Sequence, residues 1–322
     1  MFFRLLCVFV FALYCSVAYS AECDFDAKEA FLSRVVAIDS ANGLIYPVPK
    51  KEEGGLSGNS FELNSNEIIL TFDQGPHPVY TRYILDILDH HCAKATFFFS
   101  GAAALADPAA VRETARRGHT LAAGPWSSSA NFATMPIERA QAQIEKGFAA
   151  IAKASGAPVA PFFRVASPIM PSAAFDYLKE RGISLWYADI DAGPGLTATQ
   201  LANQTLLRIR KAGKGVVRFH GTSKVTVDAL DSILTGLKHD GFRVVHIVPT
   251  APYTPNGEFM TQLALLPDSA PSSNRISRRL ENAAKGPLLP SERDRRERQT
   301  AEQRRADSAK RRIPATGTAE QE

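Results

Sequence analysis

Between Asn66 and Pro249 the chain alternates short, nearly continuous apolar runs with longer stretches in which apolar residues return every three or four positions. The short runs are Ile68–Phe72, Ala95–Ser100, Thr120–Ala122, Phe162–Val165, Ser184–Ala188, Gly215–Phe219 and Arg243–Val248. Runs without a polar face read as strands buried on both sides, as in a parallel sheet. The longer stretches read as amphipathic helices. Ile137, Ala140, Ile144, Phe148 and Ile151 share one helical face, and Val227, Leu230, Ile233, Leu234 and Leu237 another. Gly118, Gly182 and Gly241 mark helix ends, each after basic or polar residues, while Asp107-Pro108 and Thr134 mark starts. Strands that alternate with helices imply right-handed βαβ units. The class is therefore α/β, and the pattern alone leaves a barrel and a doubly wound sheet both open.

The flanks have a different character. Arg4, an apolar run from Leu5 to Val17 and Ala18-Tyr19-Ser20 have the layout of a secretory signal, so residues 1–20 are expected to be cleaved. The product would be secreted or periplasmic. Cys7 and Cys15 would leave with the signal, and Cys23 and Cys92 would remain. An even pair in an oxidising compartment suggests a disulfide between them, two free thiols being the alternative. Residues 21–65 read as an N-terminal arm with a hairpin and a loop at Gly54-Gly55. Residues 251–322 read as a disordered basic tail, with runs such as Arg278-Arg279, Arg304-Arg305 and Lys310-Arg311-Arg312 among few large apolar residues. Lys and Arg total 37 against 33 acidic residues, so the excess is small and gathers in that tail. Such a tail is a solvated spacer or a contact for an anionic envelope surface. No specific nucleic-acid partner is expected, and no cysteine-rich metal motif is present.

Candidate chemistry starts at Ile68-Ile69-Leu70-Thr71-Phe72-Asp73-Gln74-Gly75-Pro76, an apolar strand that ends in a carboxylate, an amide and a Gly-Pro turn. A carboxylate at the C-terminal tip of a parallel strand sits where α/β folds keep their chemistry. Further along come Ala95-Thr96-Phe97-Phe98-Phe99-Ser100-Gly101, Gly124-Pro125-Trp126-Ser127-Ser128, Pro161-Phe162-Phe163-Arg164, Leu185-Trp186-Tyr187-Ala188-Asp189-Ile190-Asp191 and Gly215-Val216-Val217-Arg218-Phe219-His220-Gly221. In this order and spacing they resemble the motifs of the polysaccharide deacetylase family (NodB homology domain, a carbohydrate esterase type). The resemblance implies that residues 66–250 form a distorted (β/α) barrel of about seven parallel strands.

It also implies roles. Asp73 matches the catalytic base, Arg164 the arginine that pairs with it and His220 the general acid. The family's metal ligands are a second Asp and two His, and their positions here hold Gln74, Gly124 and Ser128. An amide, no side chain and a neutral hydroxyl are weak ligands for a borderline divalent metal. No metal cofactor is therefore expected, and zinc only if other ligands have rebuilt the site. Among the histidines, His77 lies in the turn, His119 starts a strand as a core histidine, and His90 and His91 end a helix, where a cation suits the dipole. The carboxylate that steadies the family's catalytic histidine aligns with Pro194. Trp126, with Trp186 and Tyr187, could offer aromatic faces to a glycan, and core packing is an equal reading for Trp186. The expected function is an exported family member that keeps a glycan-binding groove without the metal chemistry. The alternatives are an active metal-dependent hydrolase that cleaves acetyl groups from N- or O-acetylated polysaccharide, and a scaffold that works through its basic tail.

Overall fold

A computed structural model describes residues 31–40, 62–165, 170–193 and 197–265. The chain order is β1 (Leu32–Ile38), β2 (Glu67–Asp73), α1 (Tyr80–His90), β3 (Thr96–Phe99), α2 (Gly101–Ala106), α3 (Pro108–Arg116), β4 (Thr120–Ala123) and α4 (Ile137–Ser155). It continues with β5 (Phe162–Phe163), α5 (Ser172–Glu180), β6 (Ser184–Leu185), β7 (Ile190–Ala192), α6 (Ala198–Ala212), β8 (Gly215–His220), α7 (Lys224–His239), β9 (Arg243–Pro249) and α8 (Gly257–Ala264).

All strand pairs are parallel. The path β7–β8–β2–β3–β4–β5–β6 curls into the barrel, and β9 with β1 branches from the lower end of β2. The fork is visible in the register. β2 pairs with β9 at Glu67 and Ile68, and with β3 from Thr71 to Asp73. Alternate residues of each strand serve two cores. Ile69, Phe98, Ala122, Phe162, Trp186, Val216, Val245 and Ile247 fill the interior. Leu70, Phe72, Phe97, Phe99, Phe163, Val217 and Phe219 pack outward against the helices. Two apolar surroundings explain why these strands show no alternation in sequence.

The expected strands are all present, and the structure adds two. β7 contains a polar Asp191 and is too short to stand out. β1, inside the segment read as an arm, is an edge strand on β9, and Arg34 clamps it to Glu67 with bonds of 2.9 and 2.7 Å. The tail boundary also needs correction. The segment after β9 docks on the barrel instead of leaving it: Tyr253 Oη donates to Glu145 at 2.7 Å and the Asn256 N–H donates to Glu145 at 3.1 Å. α8 then packs Leu263 on Ala149 and Ala150 of α4. Glu145 is fully buried and also accepts from Tyr177 and Arg181, so a satisfied buried carboxylate holds the segment down. Cys92 is disulfide-bonded. Its expected pairing with Cys23, the signal at residues 1–20, the Gly54-Gly55 loop and the basic runs after residue 265 lie outside the described residues.

Candidate active site

The period-two face that carries Ile69 into the barrel carries Thr71 and Asp73 above it, and the face of Val216 carries Arg218 and His220. Register aligns them: Asp73 stands beside His220, Thr71 beside Arg218, and Asp191 of β7 on the other side of Arg218. Three neighbouring strand ends thus converge on one patch at the C-terminal mouth.

Arg164 reaches the patch from beyond β5. Its guanidinium crosses the face of Phe98 at 4.2 Å. It donates to Asp73 at 2.8 Å, Thr71 Oγ1 at 2.6 Å, the Trp186 carbonyl at 3.3 Å and the Tyr187 carbonyl at 3.0 Å. Arg164 is 3% exposed and Asp73 8%. Burial pulls the pKa of Arg164 down and Asp73 opposes that shift.

A second acid–base pair sits alongside. Arg218 donates to Asp191 and lies 3.9 Å from Asp73. His220 Nε2 is 3.6 Å from the other Asp191 oxygen. The carboxyl of Asp191 is held well below the usual range, by His220 first and, against the cost of burial, by Arg218. Burial disfavours the charged Arg218, but Asp191 and Asp73 outweigh it and raise its pKa. The carboxylate beside His220 is therefore Asp191. This corrects the alignment with Pro194, which lies outside the described residues. Arg218 escaped the motif-based reading, although two-residue periodicity from His220 would have pointed it into the barrel.

The positions matched to metal ligands are elsewhere engaged. Gln74 takes a left-handed backbone conformation (φ 66°), and its Oε1 accepts from Thr222 at 3.0 Å. Gly124 is buried behind β4. A Cβ there would lie 3.2 Å from the Phe99 carbonyl oxygen. Ser128 is exposed in a turn. Trp126 packs into the cluster of α8, beside Ala149, Ala150 and Phe259, and Trp186 is an interior residue in tilted ring contact with Phe162. His77 accepts from the Val79 and Tyr80 N–H groups, both at 3.2 Å, and stacks on Tyr80, which fastens the start of α1. Burial lowers its pKa. His119 is buried and accepts from the Ala95 N–H at 3.2 Å.

Several known proteins resemble this chain in sequence and fold. The polysaccharide deacetylase family model matches residues 62–186. A peptidoglycan-N-acetylglucosamine deacetylase of Bacillus cereus is 30% identical over 199 residues, 58% of this chain and 90% of that protein. The solved peptidoglycan deacetylase of Bdellovibrio bacteriovorus superposes with a TM-score of 0.59 at 25% identity, over 69% of this chain and 60% of that one. A CE4-family pseudoenzyme from Bacillus anthracis shares the fold, with a TM-score of 0.51 at 21% identity over 57% of this chain and 64% of its own.

Proposed function

The chain belongs to the polysaccharide deacetylase family, and from that premise we propose that it is an exported, glycan-binding member without the metal-dependent hydrolysis. The observation that carries this reading is the donor set at the three positions matched to metal ligands, beneath a mouth whose two carboxylates are paired with guanidiniums. Asp73 is matched by Arg164 and Asp191 by Arg218, while His220 Nε2 stands 3.6 Å from Asp191 without a hydrogen bond among the described residues. A catalytic zinc needs three strong protein ligands and an open position for water. Gln74, Gly124 and Ser128 offer a hydrogen-bonded amide oxygen, bare backbone and an exposed hydroxyl, and this donor set does not fit the ion. Without a metal, the attacking water keeps its ordinary pKa of about 15.7 rather than one near 7. A lone general base contributes only about 10²–10⁴-fold, so Asp73 does not replace the ion. Membership supplies the substrate class, acetylated polysaccharide such as peptidoglycan. The N-terminal apolar run supports export.

Persistence of the Asp73–Arg164 and Asp191–His220 pairs favours a second reading, an active hydrolase. One assay separates the two. Acetate release from N-acetylated peptidoglycan fragments is measured with and without added Zn²⁺, while retention of the same fragments is measured on immobilised protein. Binding with no release above that of Asp73→Asn is expected. Zn²⁺-dependent release that disappears in Asp73→Asn would overturn the proposal in favour of the hydrolase.

A further inference from the structure

We propose a divalent-metal site at the base of the barrel, held by His90, His91 and Asp231, separate from the mouth. His90 is the last residue of α1 and His91 its C-cap, while Asp231 comes from α7, the helix packed beside it. One ligand atom from each of the three lies within 4.8 Å of the others. His91 Nε2 is 2.9 Å from Asp231 Oδ1, and the two imidazoles meet edge to face with centroids 5.2 Å apart.

Two imidazoles and a carboxylate suit a borderline cation such as Zn²⁺. Tetrahedral ligands at zinc distances stand about 3.3 Å apart. The His91–Asp231 pair therefore has to open by only a few tenths of an ångström, and a rotamer change of the exposed His90 would close the third side. The backbone adds attraction, because the C-terminal end of α1 carries the negative end of its dipole. Helices run antiparallel to the strands they connect, so this end of α1 lies at the base, a barrel length from Asp73. The buried Nδ1 of His91 makes no hydrogen bond among the described residues. Second-shell partners of this kind are worth about 10–100-fold in metal affinity, which places the site among modest binders. Its role is a clamp between α1 and α7, not catalysis.

The test uses tag-free, chelator-treated full chain titrated with Zn²⁺ by calorimetry, with thermal unfolding recorded alongside. Both His90→Ala and Asp231→Asn spare the buried His91, whose removal could unfold the chain. The expected result is one equivalent bound, affinity at least about tenfold weaker in each variant, no loss in Asp73→Asn, and a Zn²⁺-induced rise in Tm confined to proteins with the intact cluster. Absence of binding, unchanged affinity in both variants, or loss in Asp73→Asn alone would overturn the assignment. Such loss would move the metal to the mouth and count against the proposed function as well, whereas the other outcomes leave that reading intact.

Discussion

Arg164→Met should destabilise this protein more than Asp73→Asn, although the two residues form one ion pair. The guanidinium makes four polar contacts and stacks on Phe98. Removal of one partner of a buried pair costs roughly 3–5 kcal/mol, since the other charge remains desolvated. Among the described residues Asp73 would keep only Arg218, 3.9 Å away. The carbonyls of Trp186 and Tyr187 would each lose a donor, and a net hydrogen bond to a charged group is worth about 1.5–3 kcal/mol. Some of these terms overlap, so about 4–5 kcal/mol is expected in total. Asp73→Asn removes a charge but leaves an amide oxygen for Arg164, which also keeps Thr71 and both carbonyls. Its cost should be about 1–3 kcal/mol. Urea unfolding followed by circular dichroism, with the slope unchanged among variants, measures both. If Asp73→Asn costs as much as Arg164→Met, the guanidinium is not the organiser of the mouth. If Arg164→Met costs under about 1 kcal/mol, buried contacts of this kind are not holding it.

Two other predictions test the frame around the site. Burial works against ionisation of Glu67, but hydrogen bonds from Arg34 and Asn64 prevail and hold its pKa at about 2. A depressed carboxylate stabilises the fold above its unfolded pKa, and that contribution fades as pH falls toward 2. Between pH 5 and 3 the wild type should lose roughly 1–2 kcal/mol more than Glu67→Gln, allowing for solvent screening at the partly exposed Arg34; parallel pH dependence of the two urea midpoints would refute this. Gly147→Ala should destabilise by roughly 2–4 kcal/mol despite alanine's higher helix propensity. The added Cβ would lie 2.4 Å from the Gly124 carbonyl oxygen, and a neutral or raised Tm would show that α4 can retreat freely.

Legibility followed burial. Strands enclosed on both faces were readable as apolar runs, and α4 and α7 as helical stripes, because the stripe of each packs on the main core. β7 was hidden because Asp191 interrupts three residues whose partners are distant in sequence. β1 is a partly exposed edge strand, so its pattern is mixed, and its place depends on the remote Glu67. The tail boundary was drawn on composition, which does not register that Glu145 recruits Tyr253 and Asn256 from across the chain. At the mouth, Asp73, Arg164 and His220 were legible from motif order. Asp191 was displaced to Pro194 because sequence spacing does not report a loop of variable length, whereas strand register does.

Arg218 bears directly on the proposed absence of metal chemistry. With Arg164 as the sole guanidinium at the mouth, two carboxylates would face one fixed positive charge, and a divalent cation would be drawn there. With Arg218 inside, two guanidiniums face two carboxylates and the attraction is largely cancelled. The ligand positions have also taken other work. Gln74 ties the β2 turn to Thr222. Gly124 lies where α4 comes closest, since a Cβ on Gly147 would strike its carbonyl and one on Gly101 would stand 3.0 Å from Gly147 Cα. A histidine at 124 must therefore press on the Phe99 carbonyl before it can reach any metal. On the proposed reading, charge balance, a side-chain tie and close backbone packing each oppose the ion independently, so restoring one ligand would meet the other two obstacles unchanged.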